Sequence, residues 1–432
     1  MSRAAIDVEL LASVVESDSN ASLKTLRQNA LAKFREESGL PTPRHEDWKY
    51  TNLAPLAEIS NAWLDNRPTA KVGLPDESVA PPAGIDALWI TIANGEIDDD
   101  ALAEVNEALA GKAELLRLSD DNQSRELLLD NAIAALNGAL IRDALWLRVA
   151  KNVSLESPIG LRLVDFAEGA PAASHVRILI ELEDNAAAEV LEYHQSSGGD
   201  EHYATVVTEV DLKPGARLSL VKVQQRSARH SQVGQVRARC GKDSSFQHAA
   251  VDLGGKTIRN DVTAVLAAAG AHFGSAGLGL TEDGEHIDNH IAADHAVGPA
   301  TSTQNYRYIA SGRSRCVFNG KAIVREGADG TDAEQSNHSL LLSDHAEIDT
   351  KPELEIYAED VKCAHGATVG QLDEKSLFYL RSRGLDKEQA AQLLTRAFAN
   401  TVLDDVPVAA IRDHLSEAVD AKLDRLVEDA AK

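Results

Sequence analysis

The chain has 432 residues and a formal net charge of −25, from 68 acidic against 43 basic side chains. A surface of that sign repels nucleic-acid phosphates and anionic lipids, which argues against a nucleic-acid-binding protein. No run of about 18 apolar residues occurs, which argues against a membrane span. The N-terminus also lacks the basic start and apolar stretch of an export signal. We therefore expect a cytoplasmic protein without nucleic-acid or membrane partners.

The cysteine content agrees with that location. The chain has three cysteines, an odd number: Cys240, Cys316 and Cys363. They are widely spaced and form no C-x-x-C motif. This pattern argues against a disulfide framework and for a reducing compartment.

The chain is long enough for two or three domains, or for one elongated β-domain with helical ends.

Residues 1–86 are expected to form an N-terminal helical region with an ordered loop. Apolar residues recur at helical spacing from Leu23 to Phe34, with Ser22 as the predicted N-cap. The following stretch, Gly39 to Leu53 (GLPTPRHEDWKYTNL), contains prolines that forbid a helix and aromatic residues that supply bulk for packing. Residues 60–86 have the composition of a connection.

A β-rich core is predicted from residue 87 to residue 360, with a helical insertion at about 98–142. Ala87 to Ile97 has the pattern of a first strand, and Ser124 to Ile141 that of a helix in the insertion. From about Leu145 to Glu359, short alternating runs recur between clusters of Gly, Asp, Asn and Ser. The pattern favours a parallel β-helix or another β-solenoid, with a large sandwich or jelly roll as the alternative.

Residues 361–432 are expected to form a C-terminal helical domain. Asp373 is the predicted N-cap of a first helix, and Asp386 with Gln389 forms a capping-box pattern for a second. A third helix follows Pro407. Three helices in about 60 residues bury too little apolar surface alone, so they should dock on the β-domain or on a partner.

Cys363 and His365 are the candidate ligand residues, at the junction of the β-region and the helical tail. They fall on alternate positions, so an extended chain projects the thiol and the imidazole from one face. Iron, zinc and copper accept both groups. A Cys-His nucleophile pair is less favoured, because such side chains stand roughly 7 Å apart and parallel. The alternative is a buried cysteine beside a hydrogen-bonded histidine, with no ligand.

Two other stretches have weaker signals. The richest histidine cluster is His286, His290 and His295, where a zinc or non-haem iron site could form. No HExxH or facial-triad spacing is present, and alternating polar residues on a β-surface explain the cluster as well. Leu253 to Thr257 (LGGKT) resembles the end of a phosphate-binding loop, but Ala250 stands where that motif needs glycine, and a strand pattern follows. We therefore expect no ATP hydrolysis by this chain. Cys240 and Cys316 are expected to be core residues.

Several long segments resemble the SufB/SufD family of the SUF iron-sulfur cluster assembly system. They are FNGKAIV (Phe318 to Val324), TDAEQSNHSLLLS (Thr331 to Ser343), AEIDTKPELEIYAEDVKCAHGATVGQLDE (Ala346 to Glu374), LFYLRSRG (Leu377 to Gly384) and, near the N-terminus, PTPRHEDWKYTNL (Pro41 to Leu53). SufB sequences typically have an acidic residue where this chain has Gly366, which favours the SufD branch. The resemblance covers most of the chain and is strongest from about 305 to 400.

This resemblance implies a right-handed parallel β-helix flanked by N-terminal and C-terminal helical domains, acting as a scaffold rather than an enzyme. The β-helix would pair with SufB, and the C-terminal helices would bind the ATPase SufC. ATP-driven closure of two SufC subunits would then rearrange the SufB-SufD interface where a cluster forms. The family's interface histidine and cysteine correspond to His365 and Cys363. These would hold iron or a nascent cluster transiently, shared with the partner, and no cofactor would be bound stably.

Two other functions stay open from the residues alone. One is a β-helix enzyme that cleaves polysaccharides with a metal held by the His286 to His295 cluster. The low aromatic content, 4%, and the missing export signal count against it. The other is a purely structural homodimer without a ligand.

Overall fold

The computed structural model describes residues 5–17, 20–66, 82–120 and 125–430. Most of the described chain is β-strand, and helices lie at both ends and in one insertion. The helices are α1 (Val8–Ser17), α2 (Lys24–Glu36), α3 (Ala54–Asp65), α4 (Asp99–Leu109), α5 (Ala132–Leu140), α6 (Glu374–Ser382), α7 (Lys387–Leu403) and α8 (Ala409–Ala430).

The strands fall into a short N-terminal group and a long regular series. The first group is β1 (Leu88–Ala93), β2 (Glu96–Ile97), β3 (Ala113–Arg117) and β4 (Ala144–Val149). The series is β5 (Ile159–Phe166), β6 (Ala172–Leu182), β7 (Ala187–Ser197), β8 (His202–Leu212), β9 (Arg217–Gln224), β10 (His230–Cys240), β11 (Ser245–Asp252), β12 (Thr257–Leu266), β13 (His272–Thr281), β14 (His286–His295), β15 (Thr301–Ala310), β16 (Arg315–Val324), β17 (Asp332–Leu341), β18 (Glu347–Ile356) and β19 (Lys362–Gly370).

Successive strands alternate between two sheets. Sheet A has the order β19-β17-β15-β13-β11-β9-β7-β5-β1-β2, and sheet B has the order β18-β16-β14-β12-β10-β8-β6-β4-β3. Each strand of the series pairs in parallel with the strand two positions later, in unbroken register. The predicted parallel β-helix is therefore confirmed, with about eight turns.

Between the two sheets lies a core of mainly aliphatic side chains. Because side chains alternate along a strand, one half of each strand faces this interior and the other half faces outward. The interior of the early and middle coils is filled by small layers of Val, Leu, Ile and Ala, with phenylalanine and tyrosine in the later ones. Residues directly in register on neighbouring strands therefore stack along the axis of the β-helix.

The N-terminal end of the β-helix is closed. The short strand β2 pairs antiparallel with β1, and β3 pairs antiparallel with β4, so each sheet ends in a strand of opposite direction. Helix α4 packs its buried residues Leu102, Val105 and Leu109 into the same core. At this end β3 covers the edge of β4, and β2 covers the Ile92–Ala93 end of β1.

Helices cover the outer faces of the two sheets. Helices α1, α2, α3 and α5 share one apolar cluster that reaches Ala173, Tyr203 and Val233 on sheet B. Helices α7 and α8 cover sheet A, where Ile411, Leu415 and Val419 are fully buried. Among the described residues, no helix is long and apolar enough to cross a membrane.

The structure differs from the sequence-based elements in a few places. Helix α1 lies in a stretch without a predicted element, and α3 begins before the predicted connection and runs into it. Ser22 does not cap α2; it lies in a short 3₁₀ turn, and Leu23 precedes the helix without a side-chain cap. Strand β19 continues sheet A beyond residue 360 into the segment assigned to the helical tail. Ser124 and residues 67–81 lie outside the described residues.

Candidate functional site at the open end of the β-helix

The C-terminal end of the β-helix is open. Strand β19 pairs only with β17, and β18 pairs only with β16, so each is the last strand of its sheet. Within the described residues, their outer sides have no strand partner. Each edge presents a row of backbone N–H and C=O groups that another strand can use. Most side chains of β19 are exposed, whereas the equivalent strands of earlier coils are buried.

Cys363 and His365 lie on β19, at the mouth of this open end. In register, Cys363 stands beside Ala333 and His365 beside Gln335, two buried residues on the inward face of β17. The two candidate ligands therefore belong to the interior-facing row of the last coil. Because no further coil of the described residues covers that row, Cys363 is half-buried and His365 is exposed. The prediction that both residues share one face of a strand is confirmed.

The geometry suits a shared site rather than a complete one. Among the described residues, no group of three His, Cys, Asp or Glu side chains is placed to hold a metal ion. A thiolate and an imidazole are both ligands for iron, and two are too few to complete its coordination. Burial raises the pKa of the Cys363 thiol above its ordinary value. Binding of a metal there would displace the thiol proton.

The histidine cluster on β14 does not form the alternative metal site. Alternation along the strand puts His286 and His290 on the outer face of sheet B and His295 in the interior, where its Nε2 lies 2.9 Å from Ser302 Oγ. The two outer histidines flank Asp288: Nε2 of His290 lies 2.9 Å from Oδ1 of that carboxylate. The metal site considered for this cluster is not formed, because the alternation separates its three histidines, and the other explanation, alternating polar residues of a β-strand, accounts for them.

Asp288 instead anchors the N-terminal loop predicted from Gly39 to Leu53. Thr51 donates to the Asp288 carboxylate and lies 2.9 Å from Nε2 of His286. Arg259 donates to Asp288 at 2.8 Å and to the Asp47 carbonyl at 2.7 Å. Burial would raise the pKa of Asp288, but Arg259 outweighs that effect and holds it below its usual range. This cluster is a structural clamp for the ordered loop.

The phosphate-loop resemblance has a structural explanation too. Thr257 begins strand β12, so no helix N-terminus follows the two glycines. The Lys256 ammonium donates to Glu201 at 2.6 Å. The segment therefore lacks the geometry that cradles a nucleotide phosphate.

The helical tail leaves one face uncovered. Asp373 caps α6 and the Asp386–Gln389 capping box begins α7, as the sequence predicts. Helix α6 has no buried residue, and its Phe378 and Tyr379 are 74% and 57% exposed. A groove of about 570 Å³ separates α6 and α7 from the end of β17. Its apolar lining consists of Leu341, Leu342, Leu372, Leu377, Ala391 and Val427.

The sequence did not reveal a buried polar network in the middle coils. Arg226 donates to Asp165 at 2.5 Å and lies 2.8 Å from His194, and Thr208 donates to Glu192 at 2.8 Å. All of these side chains face the interior and are almost fully buried. An alternating sequence cannot distinguish an interior polar row from a solvated one, because both have a period of two.

These features define a class of protein: a two-sheet parallel β-helix with helices at both ends and a cysteine and a histidine on the inward row of an open terminal coil. Two family models match the chain, the SufBD core domain of SUF system FeS cluster assembly over residues 165–398 and the SufBD N-terminal region over residues 10–71. The first covers more than half of the chain. The chain therefore belongs to the SufB/SufD family of the SUF iron-sulfur cluster assembly system.

Individual relatives agree. The chain is 30% identical to the iron-sulfur cluster assembly protein SufD of Escherichia coli over 375 residues, 84% of each chain. It is 28% identical to a SufBD family protein of Synechocystis over 446 residues, 96% of each chain. It is also similar to SufD of Bacillus subtilis, with 26% identity over 97% of this chain and 98% of the relative.

Proposed function

We propose that this chain is a non-catalytic scaffold subunit that pairs with a SufB-like paralogue at its open end. The observation that carries the proposal is the last coil. Its two edge strands have no strand partner on their outer sides within the described residues, and its inward row presents Cys363 and His365. A partner that adds strands to β18 and β19 would satisfy their backbone groups. The same step would bring its own ligands to the mouth of the β-helix.

The iron-sulfur cluster is the cargo of this site. Cys363 and His365 would hold iron or a nascent cluster for as long as the partner completes the coordination, and release it when the interface rearranges. Transient binding agrees with the exposure of His365 and with the two-residue ligand set. No stably bound cofactor is part of the proposal.

The helical tail would bind a SufC-like ABC ATPase. Support comes from the exposed aromatic side chains of α6 and from the apolar groove beside them, since exposed apolar surface of this kind marks interaction sites. The ATPase activity would belong to that partner. ATP-driven closure of two such subunits would move the tail, whose helices α7 and α8 pack against sheet A, and so rearrange the edge strands.

Two further parts of the proposal concern the isolated chain and its location. Without the paralogue, the edges of β18 and β19 would pair with those of a second copy of this chain. We place the protein in the cytoplasm, because its three cysteines are free and a reducing compartment keeps them so.

Co-purification tests the proposal. The tagged full-length chain is expressed with a SufB-like protein and a SufC-like ATPase, and the mass of the eluted species is measured by light scattering. A defined assembly that contains all three proteins is expected. If the chain elutes without either partner, the scaffold proposal is wrong. Deletion of the whole tail is a poor variant, because it would uncover the apolar outer face of sheet A.

A further inference from the structure

The interior row that ends at His365 continues into the β-helix as a column of amides. In register, His365 stands beside Gln335 on β17, and Gln335 stands beside Gln304 on β15. Both glutamines face the interior, and each is 2% exposed. The column therefore runs from the open end into the interior of the β-helix.

Gln335 is a buried amide without a hydrogen bond. Neither its Oε1 nor its Nε2 has a partner among the described residues. Gln304 differs in part: its Nε2 donates to the Lys321 carbonyl at 3.1 Å, whereas its Oε1 also has no partner among the described residues. Leaving a buried polar group unpaired is destabilising, so such a group calls for a functional explanation.

The register provides two polar neighbours of Gln335, Gln304 on β15 and His365 on β19. The Nε2 of Gln304 is already hydrogen-bonded to the Lys321 carbonyl. Neighbouring strands lie about 4.8 Å apart, so the amide and the His365 imidazole are one strand spacing from each other. The equivalent neighbour of Cys363 is Ala333, whose methyl group forms no hydrogen bond. His365 is exposed, and its ring is therefore free to change rotamer and turn toward the amide.

We propose that Gln335 is a positioning residue for His365: its Oε1 accepts a hydrogen bond from one ring N–H of the imidazole. This inference rests on the proposed function, in which His365 is a ligand at the open end. A histidine that binds a metal usually donates its second N–H to an oxygen atom, which fixes the tautomer and the direction of the ligating nitrogen. Gln335 would thus point the free lone pair of His365 toward the mouth.

The experiment measures the tautomer of His365 directly. Nitrogen chemical shifts of ¹⁵N-histidine are recorded for the isolated full-length chain and for Gln335→Met, which keeps the side-chain length and removes the hydrogen bond. We expect one dominant neutral tautomer in the unmodified chain. In Gln335→Met, the tautomer ratio should shift by about threefold to tenfold, as the loss of one hydrogen bond predicts.

Two further variants make the result decisive. Gln335→Glu keeps an acceptor oxygen and should retain the dominant tautomer, which covers the case that Gln335→Met does not fold. Gln304→Met removes a similar amide one coil deeper and should leave His365 unchanged. The inference is wrong if His365 has the same tautomer ratio with Gln335, Met and Glu at position 335, or if Gln304→Met shifts it equally.

The inference and the proposed function fail in different ways. The first case is that His365→Ala abolishes cluster formation in the assembled complex, while the tautomer ratio of His365 does not change with the residue at position 335. The proposed function then stands and the inference fails. If the tautomer responds to position 335 but the His365→Ala complex forms its cluster normally, the contact exists and the proposed function fails.

Discussion

The guanidinium of Arg259 stacks on the indole ring of Trp48, with its central carbon 3.9 Å from the ring centroid. Arg259 lies on β12, whereas Trp48 belongs to the N-terminal loop, so this contact joins two segments far apart in sequence. The same arginine pairs with Asp288 and Asp261. One buried side chain therefore links the loop to sheet B.

Removal of Arg259 should destabilise the protein more than removal of Trp48. Trp48→Ala is expected to lower the free energy of unfolding by about 1–2 kcal/mol, the range of a partly buried cation–π contact. Arg259→Ala should cost about 3–5 kcal/mol, because it leaves the buried Asp288 carboxylate without its counter-ion. Urea unfolding measures both values, with Trp48→Phe as the control that keeps an aromatic ring. Equal stability of Trp48→Ala and the unmodified chain would contradict this assignment.

Thiol labelling should distinguish the three cysteines. Burial raises the pKa of Cys240 and of Cys316 to about 12, and both side chains are fully buried. Cys363 is half-buried, and burial raises its pKa above the ordinary value of 9.0. Iodoacetamide should therefore modify one site in the native chain, at a rate that increases with pH to beyond 9.0.

Mass spectrometry of the labelled protein checks that expectation. Cys363→Ser should abolish labelling under native conditions. Modification of Cys240 or Cys316 before unfolding would show that the β-helix interior is open to solvent, contrary to the structure.

Acid should destabilise the protein through His202 and His230, whose rings stack with centroids 5.3 Å apart. Burial is the main cause that lowers the pKa of each from 6.5 to about 4. Because the unfolded chain then binds protons first, the stability is complete above pH 6.5 and decreases as the pH falls to about 4. The loss should reach about 3–4 kcal/mol per histidine at most.

Chemical unfolding at a series of pH values measures this slope. The double variant His202→Asn with His230→Asn should have a flatter dependence on pH, and His345→Asn, in an exposed turn, should keep the original one. An identical slope in the double variant would rule these two histidines out as the cause.

The exposed aromatics of α6 should matter for binding and not for folding. Phe378→Ala is expected to change the free energy of unfolding by less than about 0.5 kcal/mol, as for most surface substitutions. The affinity for the SufC-like ATPase should fall at least about tenfold, the effect of a single interface anchor. Calorimetry measures the affinity, and Leu128→Ala, a leucine 43% exposed outside the tail, is the matched control. Equal loss in both variants would contradict a specific site on α6.

Periodicity in the sequence predicts most strands because the outer and inner rows of a β-helix differ in polarity. Strand β13 (HFGSAGLGLT) shows why it fails locally. Its inward residues Gly277 and Gly279 leave room for the rings of Tyr306 and Tyr308, and a Cβ at these positions would lie 2.0 and 2.6 Å from those rings. Such a strand has small residues where the pattern requires large apolar ones, so alternation does not reveal it.

Some residues of the candidate site could be predicted from the sequence and others could not. Cys363 and His365 could be predicted because their spacing of two and their chemistry are both local. Gln335 could not, since it lies 30 positions earlier and meets His365 only through the register of two parallel strands. The separation of His295 from His286 and His290 follows from their spacing once residues 286–295 are recognised as one strand.

The most direct test of the scaffold assignment is cluster formation in the assembled complex. The full-length chain, as unmodified protein, His365→Ala and the control His345→Ala, is combined with the SufB-like and SufC-like partners, and iron and acid-labile sulfide are quantified per complex. The account predicts intact assembly for all three proteins, with cluster content lost only in His365→Ala. A normal cluster content in His365→Ala would contradict the placement of the site at the open end of the β-helix.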